Sequence, residues 1–414
     1  MKTIYRTKSV SGDTLSYYED AISAPITVSL IKRELGAAII KPRYRLYALN
    51  PDETIKSEIP EEDIVTGSYN ENYQNGQRRG LNITLHNYTG KYTPTINNLW
   101  ASDKFGFEIG IVSGFSGETI WFPKGTYILS NISATHEPGV QNVSLELNDK
   151  FAILEGKQGT LETSYEIEPG NIIENVVSDL LHRDNGSSEI LDPQIPIFHS
   201  SFKGKKTQAT ITKEAGETIG SIILELATQL SAEVFYNAEG RLVFIPIDYV
   251  TDDSNKPVIY QLYDIQGDFS NDNLTFSFND VVNRIIVIGA NVDGVVCRAT
   301  AVNDNPASPL CYQRIGYRTG APINDTNITS AILAQERANY ELRQKLILKT
   351  TSSINTNFNP LLLVNNIVGI TDVFFGLEEE KFLIQGVSYS LDYSGVMSLT
   401  VSNVNNLPFA VRGV

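Results

Sequence analysis

Along the first 156 residues, apolar and polar positions alternate in short runs. The segments "ITVSLIKR", "YRLYALN", "GLNITLHN", "FEIGIVSG", "TYILSNIS" and "NVSLELND" each span seven or eight residues. Leu81, Ile83 and Leu85 fall on one side of such a run, and Asn82, Thr84 and His86 on the other. A period of two with one apolar side predicts a half-buried strand. Turn residues punctuate the runs, Asn75-Gly76 in one place and Pro123 with Gly125 in another. Successive strands with little helix between them predict a barrel or a sandwich.

The period changes near residue 157. "NIIENVVSDLLHR" places Ile172, Ile173, Val176, Val177, Leu180 and Leu181 on one helical face, and Asn185-Gly186 offers a stop. "ETIGSIILELATQLS" repeats the pattern with Ile219, Ile222, Ile223, Leu226 and Leu230. "AEVFYNAEGRLVFIPI" then reads as a hairpin turning at Asn237 to Gly240. Strands return with "NLTFSFND", where Leu274, Phe276 and Phe278 alternate, and with "RIIVIGAN", a β-branched run expected to be buried on both faces. "TSAILAQERANYELRQKLIL" predicts a helix. Its face Ala331, Ala334, Ala338, Leu342, Leu346 is small enough to lie close on the last strands, and Arg337, Glu341 and Lys345 form a charge series on the wet side. The expected organisation is mainly β with an α+β insert, divided as 1–156, 157–256 and 257–414.

Two hairpins resemble each other across this insert. In "TYILSNISATHEPGVQNVSLELND" and "KFLIQGVSYSLDYSGVMSLTVSN", Tyr127 aligns with Phe382, Leu129 with Ile384, Ile132 with Val387 and Ser133 with Ser388. After a one-residue gap in the turn, Ser144 meets Ser398, Leu145 meets Leu399 and Leu147 meets Val401. Alternation and a Gly turn are generic to hairpins. Both copies, however, close their own β-rich region, and that position favours a duplicated β-domain with the insert between the copies.

Bulk properties bound the function. A chain of 414 residues with 41% hydrophobic content supports two to four domains with real cores. Twenty Tyr and 17 Phe suit strands. No apolar run reaches the ~18 residues of a membrane helix. "MKTIYRTKSVSGD" is not a secretory signal, so the chain is expected to stay in the cytoplasm where it is made, without a membrane anchor. A net charge of −15 argues against a general nucleic-acid binder. The N-x-S/T triplets at Asn82 and Asn131 read as chance in an Asn-rich chain. Cys297 and Cys311 flank a loop that a bridge could close, but two free thiols suit a cytoplasmic origin better.

The sequence presents no recognisable catalytic, cofactor-binding or metal-binding constellation. His86, His136, His182 and His199 form no i, i+3 or i+4 pair, and His182 reads as the end of a helix. There is no P-loop, no G-x-G-x-x-G and no G-x-S-x-G elbow. Acidic runs at Glu61-Glu62-Asp63 and Glu378-Glu379-Glu380 read as solvated loops. Dispersed carboxylates of a glycan-degrading enzyme leave no short signature, and a carbohydrate-binding adhesin is also compatible with β-domains. These two readings stay open as alternatives.

Four stretches, in order, resemble the tail-hub proteins of bacteriophages: "TIWFPKGTYILSNIS", "ETIGSIILELATQLSAEVFYNAEGRLVFIPI", "NDVVNRIIVIGANVDG" and "ASPLCYQRIGYRTGAPINDTNITS…AQERANYELRQKL". They span most of residues 115–402. The resemblance is to late-control-D-type proteins and to the hub portion of VgrG spikes. It implies two tube-like β-barrel domains per chain flanking a helix-containing middle domain, no enzymatic activity and no cofactor. It also implies a homotrimeric ring in the tail baseplate of a virion or related contractile injection machine. A tail tube or distal tail protein would adjoin one side. A central spike, tape measure and baseplate wedge proteins would adjoin the other, with DNA or effectors passing through the lumen unbound. The ring would adapt the six-fold tube to a three-fold spike. The chain ends at Val414 without a spike β-helix, so spike and wall-cutting activities would reside on other chains.

Overall fold

The computed structural model describes residues 5–10, 14–18, 42–95, 98–101, 103–112, 117, 119–183, 190–246, 258–276, 281–292, 294–308, 310–326, 328–347, 350–392 and 395–403. The run at 26–33, Phe278 and Asn185-Gly186 lie outside the described residues.

The first region is built of strands β1 (Tyr5–Val10), β2 (Thr14–Tyr18), β3 (Pro42–Leu49), β4 (Ile55–Ile59), β5 (Ile64–Asn72), β6 (Arg79–His86), β7 (Lys104–Val112), β8 (Thr119–Glu137) and β9 (Val140–Asp149). Strands β5-β6-β9-β8-β7-β3-β4 lie side by side, all antiparallel. The alternation read from sequence sets the faces: Leu81, Ile83 and Leu85 are buried opposite Leu147, Leu145 and Val143. Pro123 and Gly125 do not make a turn. They lie inside the 19-residue β8, where the ladder to β7 shifts register between Phe107 and Glu108. Gly125 takes φ of 135°, open to a residue without Cβ, and this lets a bulge form instead of a chain reversal.

The middle region contains α1 (Phe151–Glu155), β10 (Tyr165–Ile167), α2 (Ile173–Leu181), β11 (Ile197–Phe198), β12 (Ile211–Lys213), α3 (Ile219–Leu230), β13 (Ala232–Tyr236) and β14 (Leu242–Pro246). The predicted faces of α2 and α3 close over the β13–β14 hairpin in a core of their own, with Val177, Leu180, Ile223 and Leu226 against Val234 and Phe244. Ile172 caps α2 and is 36% exposed, and so leaves the predicted face. Thr218 caps α3 by accepting from the Ser221 N–H at 3.2 Å. Phe151 and Leu154 join this core, which draws α1 into it.

The third region holds β15 (Val258–Tyr263), β16 (Phe269–Phe276), β17 (Arg284–Val292), β18 (Val295–Val302), α4 (Tyr312–Ile315), β19 (Ile323–Asn324), α5 (Ala331–Ile347), β20 (Thr350–Asn357), β21 (Ile367–Asp372), β22 (Leu377–Ser390) and β23 (Val396–Asn403). Helix α5 does not pack on the last strands. It covers the separate sheet β18-β17-β19, where Ala334, Ala338, Leu342 and Leu346 meet Ile285 and Val287 in a third core. Ala331 is exposed, one turn outside this contact. Strand β17 is buried on one face only, because a single helix covers its sheet; Ile286 and Ile288 stay half-buried.

Five of the remaining strands repeat the strand order of the first region, and the β22–β23 hairpin repeats the register of β8–β9. The order β5-β6-β9-β8-β7 recurs as β16-β20-β23-β22-β21. In β8 and β9, Leu129 faces Leu147 and Ile132 faces Leu145, with a bulge between Leu129 and Asn131. In β22 and β23, Ile384 faces Val401 and Val387 faces Leu399, with a bulge between Ile384 and Gly386. Tyr127 and Phe382 therefore occupy equivalent positions, opposite Asp149 and Asn403. Any two hairpins can share alternation. A shared bulge and shared neighbours on both sides are not generic. The two halves also fuse: β22 pairs β5, giving one continuous sheet β16-β20-β23-β22-β5-β6-β9-β8-β7-β3-β4 over a core drawn from both.

Candidate assembly surface

The fusion of the halves is made by five residue pairs. Gly386, Val387, Ser388, Tyr389 and Ser390 of β22 lie antiparallel to Asn72, Glu71, Asn70, Tyr69 and Ser68 of β5. The Tyr389 and Tyr69 rings stack with centroids 4.8 Å apart, and Phe358 meets Tyr389 edge-on. At Gly67 any Cβ would come within 2.3 Å of the Asn82 carbonyl, so this part of β5 admits only glycine. Just beyond, Leu391 donates its N–H to Gly67 O at 2.8 Å, and the Tyr44 hydroxyl donates to Asp392 O at 2.6 Å.

Charges are buried beneath this junction, where they need partners. Arg79 holds Glu71 at 2.6 Å, and the Tyr69 hydroxyl donates to Glu71 at 2.9 Å. Burial alone would raise the Glu71 pKa; Arg79, Lys124 and the Tyr69 bond outweigh it and hold the carboxyl below the ordinary range. Lys124 shares the site, and burial brings it down to about 8 despite Glu71. Burial also holds the Tyr69, Tyr127 and Tyr389 hydroxyls well above their usual range.

The link from β5 to β6 ties in the other regions. The Tyr73 N–H donates to Gln385 O, Gly76 N–H to Val234 O, and Val234 N–H to Asn75 Oδ1. Arg78 binds Glu233 at 3.1 Å and lies 3.6 Å over the Phe235 ring. Asp149 accepts from the N–H groups of Arg78, Arg79 and Phe151, while burial lifts its carboxyl to about 6. Fully buried Lys150 joins Glu53 and Asp192, each at 2.6 Å, with the Tyr236 hydroxyl on Asp192. Strand β5, its following loop and the first residues after β9 thus hold the two halves and the middle region in a fixed relation.

The face of the sheet turned away from the core carries a different chemistry. It presents Thr66, Ser68, Asn70 and Asn72 on β5, Asn82 on β6, Ser144 and Glu146 on β9, Ser388 and Ser390 on β22, and Thr400 on β23, all exposed. Glu146 is the one charged group among them. A polar cavity of about 230 Å³ opens on this face beside Asn72, Gln74, Arg78 and Asn148. The β8–β9 hairpin extends past Ser130 as an arm, with Ser133 to Glu137 exposed.

The four histidines and two cysteines are dispersed. His86 stacks on Tyr88, His136 lies near Gln141, His182 bonds the Ser178 carbonyl at the end of α2, and His199 caps a turn at Ser201. Cys297 and Cys311 are free thiols, Cys311 buried. Glu61 and Asp63 are not merely solvated: they pair with Arg43 and Lys91 at 2.5 Å each. Among the described residues, no group of three or more His, Cys, Asp or Glu is placed to hold a metal, and no helix is long and apolar enough to cross a membrane. The junction residues Tyr69, Glu71, Arg79 and Lys124 were not singled out from sequence. The spacing Glu71, Arg79 has no local signature, because the partners meet across two strands.

Two duplicated strand arrays fused edge to edge, with an α+β region between them in sequence, define a fold shared with viral tail proteins. The chain is similar to the 43 kDa tail protein of prophage MuSo2 from Shewanella oneidensis, at 15% identity and TM-score 0.56, covering 89% of this chain and 100% of that one. It is similar to the tail protein from Neisseria meningitidis MC58, at 12% identity and TM-score 0.60, covering 89% and 98%. It also matches a chain of the Francisella PdpA-VgrG complex, at 11% identity and TM-score 0.51, covering 92% of this chain and 56% of that one. No protein-family model matches the sequence. No curated protein matches it either.

Proposed function

We propose that the chain is a structural hub of a tail baseplate, in a virion or a related contractile injection machine, and does no chemistry. The observation that carries this is the edge-to-edge fusion of two repeats that share strand order and the register of their closing hairpins. A chain with two equivalent units joined head to tail is half-way to a ring in which every unit meets the next in the same manner. Three such chains present six similar units to a six-fold tube and keep a three-fold axis for a spike. The two repeats serve as the tube-like barrels of the ring, residues 157–256 form the middle domain, and residues 257–414 contain the second barrel with α5.

The exposed hydroxyl and amide face suits the wall of a passage. Ser, Thr and Asn side chains hold water and carry no positive charge, and Arg78 beside the cavity is already paired with Glu233. Glu146 adds a repulsive charge, felt over roughly 8 Å at physiological salt. Tube and distal tail proteins adjoin one rim of the ring, and spike, tape measure and wedge proteins the other.

Native mass spectrometry of assembled baseplates tests the reading. Three copies around one axis are expected, each pair burying well over ~1,000 Å². A single copy per particle, or hydrolysis of glycan by the purified chain at paired carboxylates, would overturn it.

A further inference from the structure

The two hairpins β8–β9 and β22–β23 match in register but not in what covers them. On β22 the edge opposite β23 is occupied twice, by β21 up to Leu383 and then by β5 from Gly386 to Ser390. On β8 the matching edge is occupied by β7 up to Ile128. From Asn131 to Thr135 that edge has no strand partner among the described residues. Burial records the difference. Val387 and Tyr389 are buried, while their equivalents Ile132 and Ala134 are half-buried and exposed. The other side of the junction shows the complementary gap. Strand β5 lies between β6 and β22, whereas its counterpart β16 pairs with β20 alone among the described residues.

We infer that Asn131–Thr135 of β8 is a docking edge for β16 of a second copy of this chain, in the antiparallel register that β22 and β5 use within one chain. The register follows from the ladders. Ser68 and Tyr69 stand opposite Asn82 and Leu81, and Asn273 and Leu274 stand opposite the equivalent Ser353 and Ser352. Ala134 therefore takes the ladder position opposite Leu274, as Tyr389 does opposite Tyr69, and Thr135 the position opposite Asn273, as Ser390 does opposite Ser68. The occupant is a second copy because the chain already contains this joint once, between its own halves. Each unit gives its β8-type edge to the β5-type edge of the next, a head-to-tail contact that closes only as a ring. An exposed edge of this length invites pairing, and the ladder hydrogen bonds satisfy it. This assignment rests on the ring proposed above and specifies which strands close it.

The test is cross-linking in assembled baseplates that carry Thr135→Cys with Asn273→Cys, using oxidation or a short bis-maleimide. The control pair is Ser144→Cys with Asn273→Cys, since Ser144 is exposed but sits on the interior strand β9. Unsubstituted chains report any background from Cys297 and Cys311. Juxtaposed positions are expected to yield about tenfold more covalently joined chains than the control. Three copies per particle with no linkage above the control would overturn the strand assignment and leave the ring standing. One copy per particle would overturn both. Comparable linkage in both pairs would also overturn the assignment.

Discussion

At the scale of residues, the junction is held by buried charge, and its pH response can be worked out. Lys124 has an ordinary value of 10.5 and is brought to about 8 in the folded chain by burial. A depressed lysine favours folding fully above its unfolded value, and that contribution is lost as pH falls through the folded one. At pH 7 the charged lysine therefore opposes folding. Lys124→Met is expected to be more stable than the parent by roughly 1–3 kcal/mol at pH 7 in urea unfolding, with the difference shrinking toward pH 10. A constant difference between pH 7 and pH 10 would show that Lys124 keeps its proton. Glu71 has the opposite sense. Its lowered carboxyl contributes stability above the ordinary carboxylate range that is lost as pH falls. Glu71→Gln would leave Arg79 and Lys124 buried without their anion, at a cost of about 3–5 kcal/mol at neutral pH. An unaltered midpoint of denaturation would remove this network from the account of the joint.

At the scale of elements, legibility followed locality. Strands β6 and β9 were readable because each alternates cleanly and half-buries one face. Strand β5 was not, since Tyr69 is its only large apolar residue in the run Thr66 to Asn72 and its partner β22 lies far along the chain. The paired hairpins gave away the duplication, but β16 and β20 carry too few matching residues to be aligned to β5 and β6 without the ladders. Helix α5 was legible as a helix. Its partner was not, because a stripe of small residues states how closely something packs and not what packs there. Ala338 is fully buried against β17 and β18. Ala338→Glu is expected to cost several kcal/mol through an unpaired buried charge. The third core is separate from the large one. Hydrogen exchange should therefore accelerate in Arg284–Val302 and Ala331–Leu346 while β6 and β9 stay protected. Uniform acceleration would mean that the cores are not independent.

At the scale of the whole molecule, the shared core of the two halves sets the order in which the chain can become complete. Strand β5 emerges early in synthesis, yet its second edge is filled by residues 386–390, about 310 residues later. At roughly 5–20 residues per second, a ribosome leaves that edge and the Tyr69 ring uncovered for ~15–60 s. Nascent chains arrested at residue 150 are expected to bind a trigger-factor-type chaperone and to be cut readily in β5. Chains arrested beyond residue 403, with room to clear the exit tunnel, should resist both. Equal protease resistance at the two lengths would show that the first half closes by itself. The joint between the two halves thus leaves the first half an expected client of the cell's folding machinery until residues 386–390 have been made.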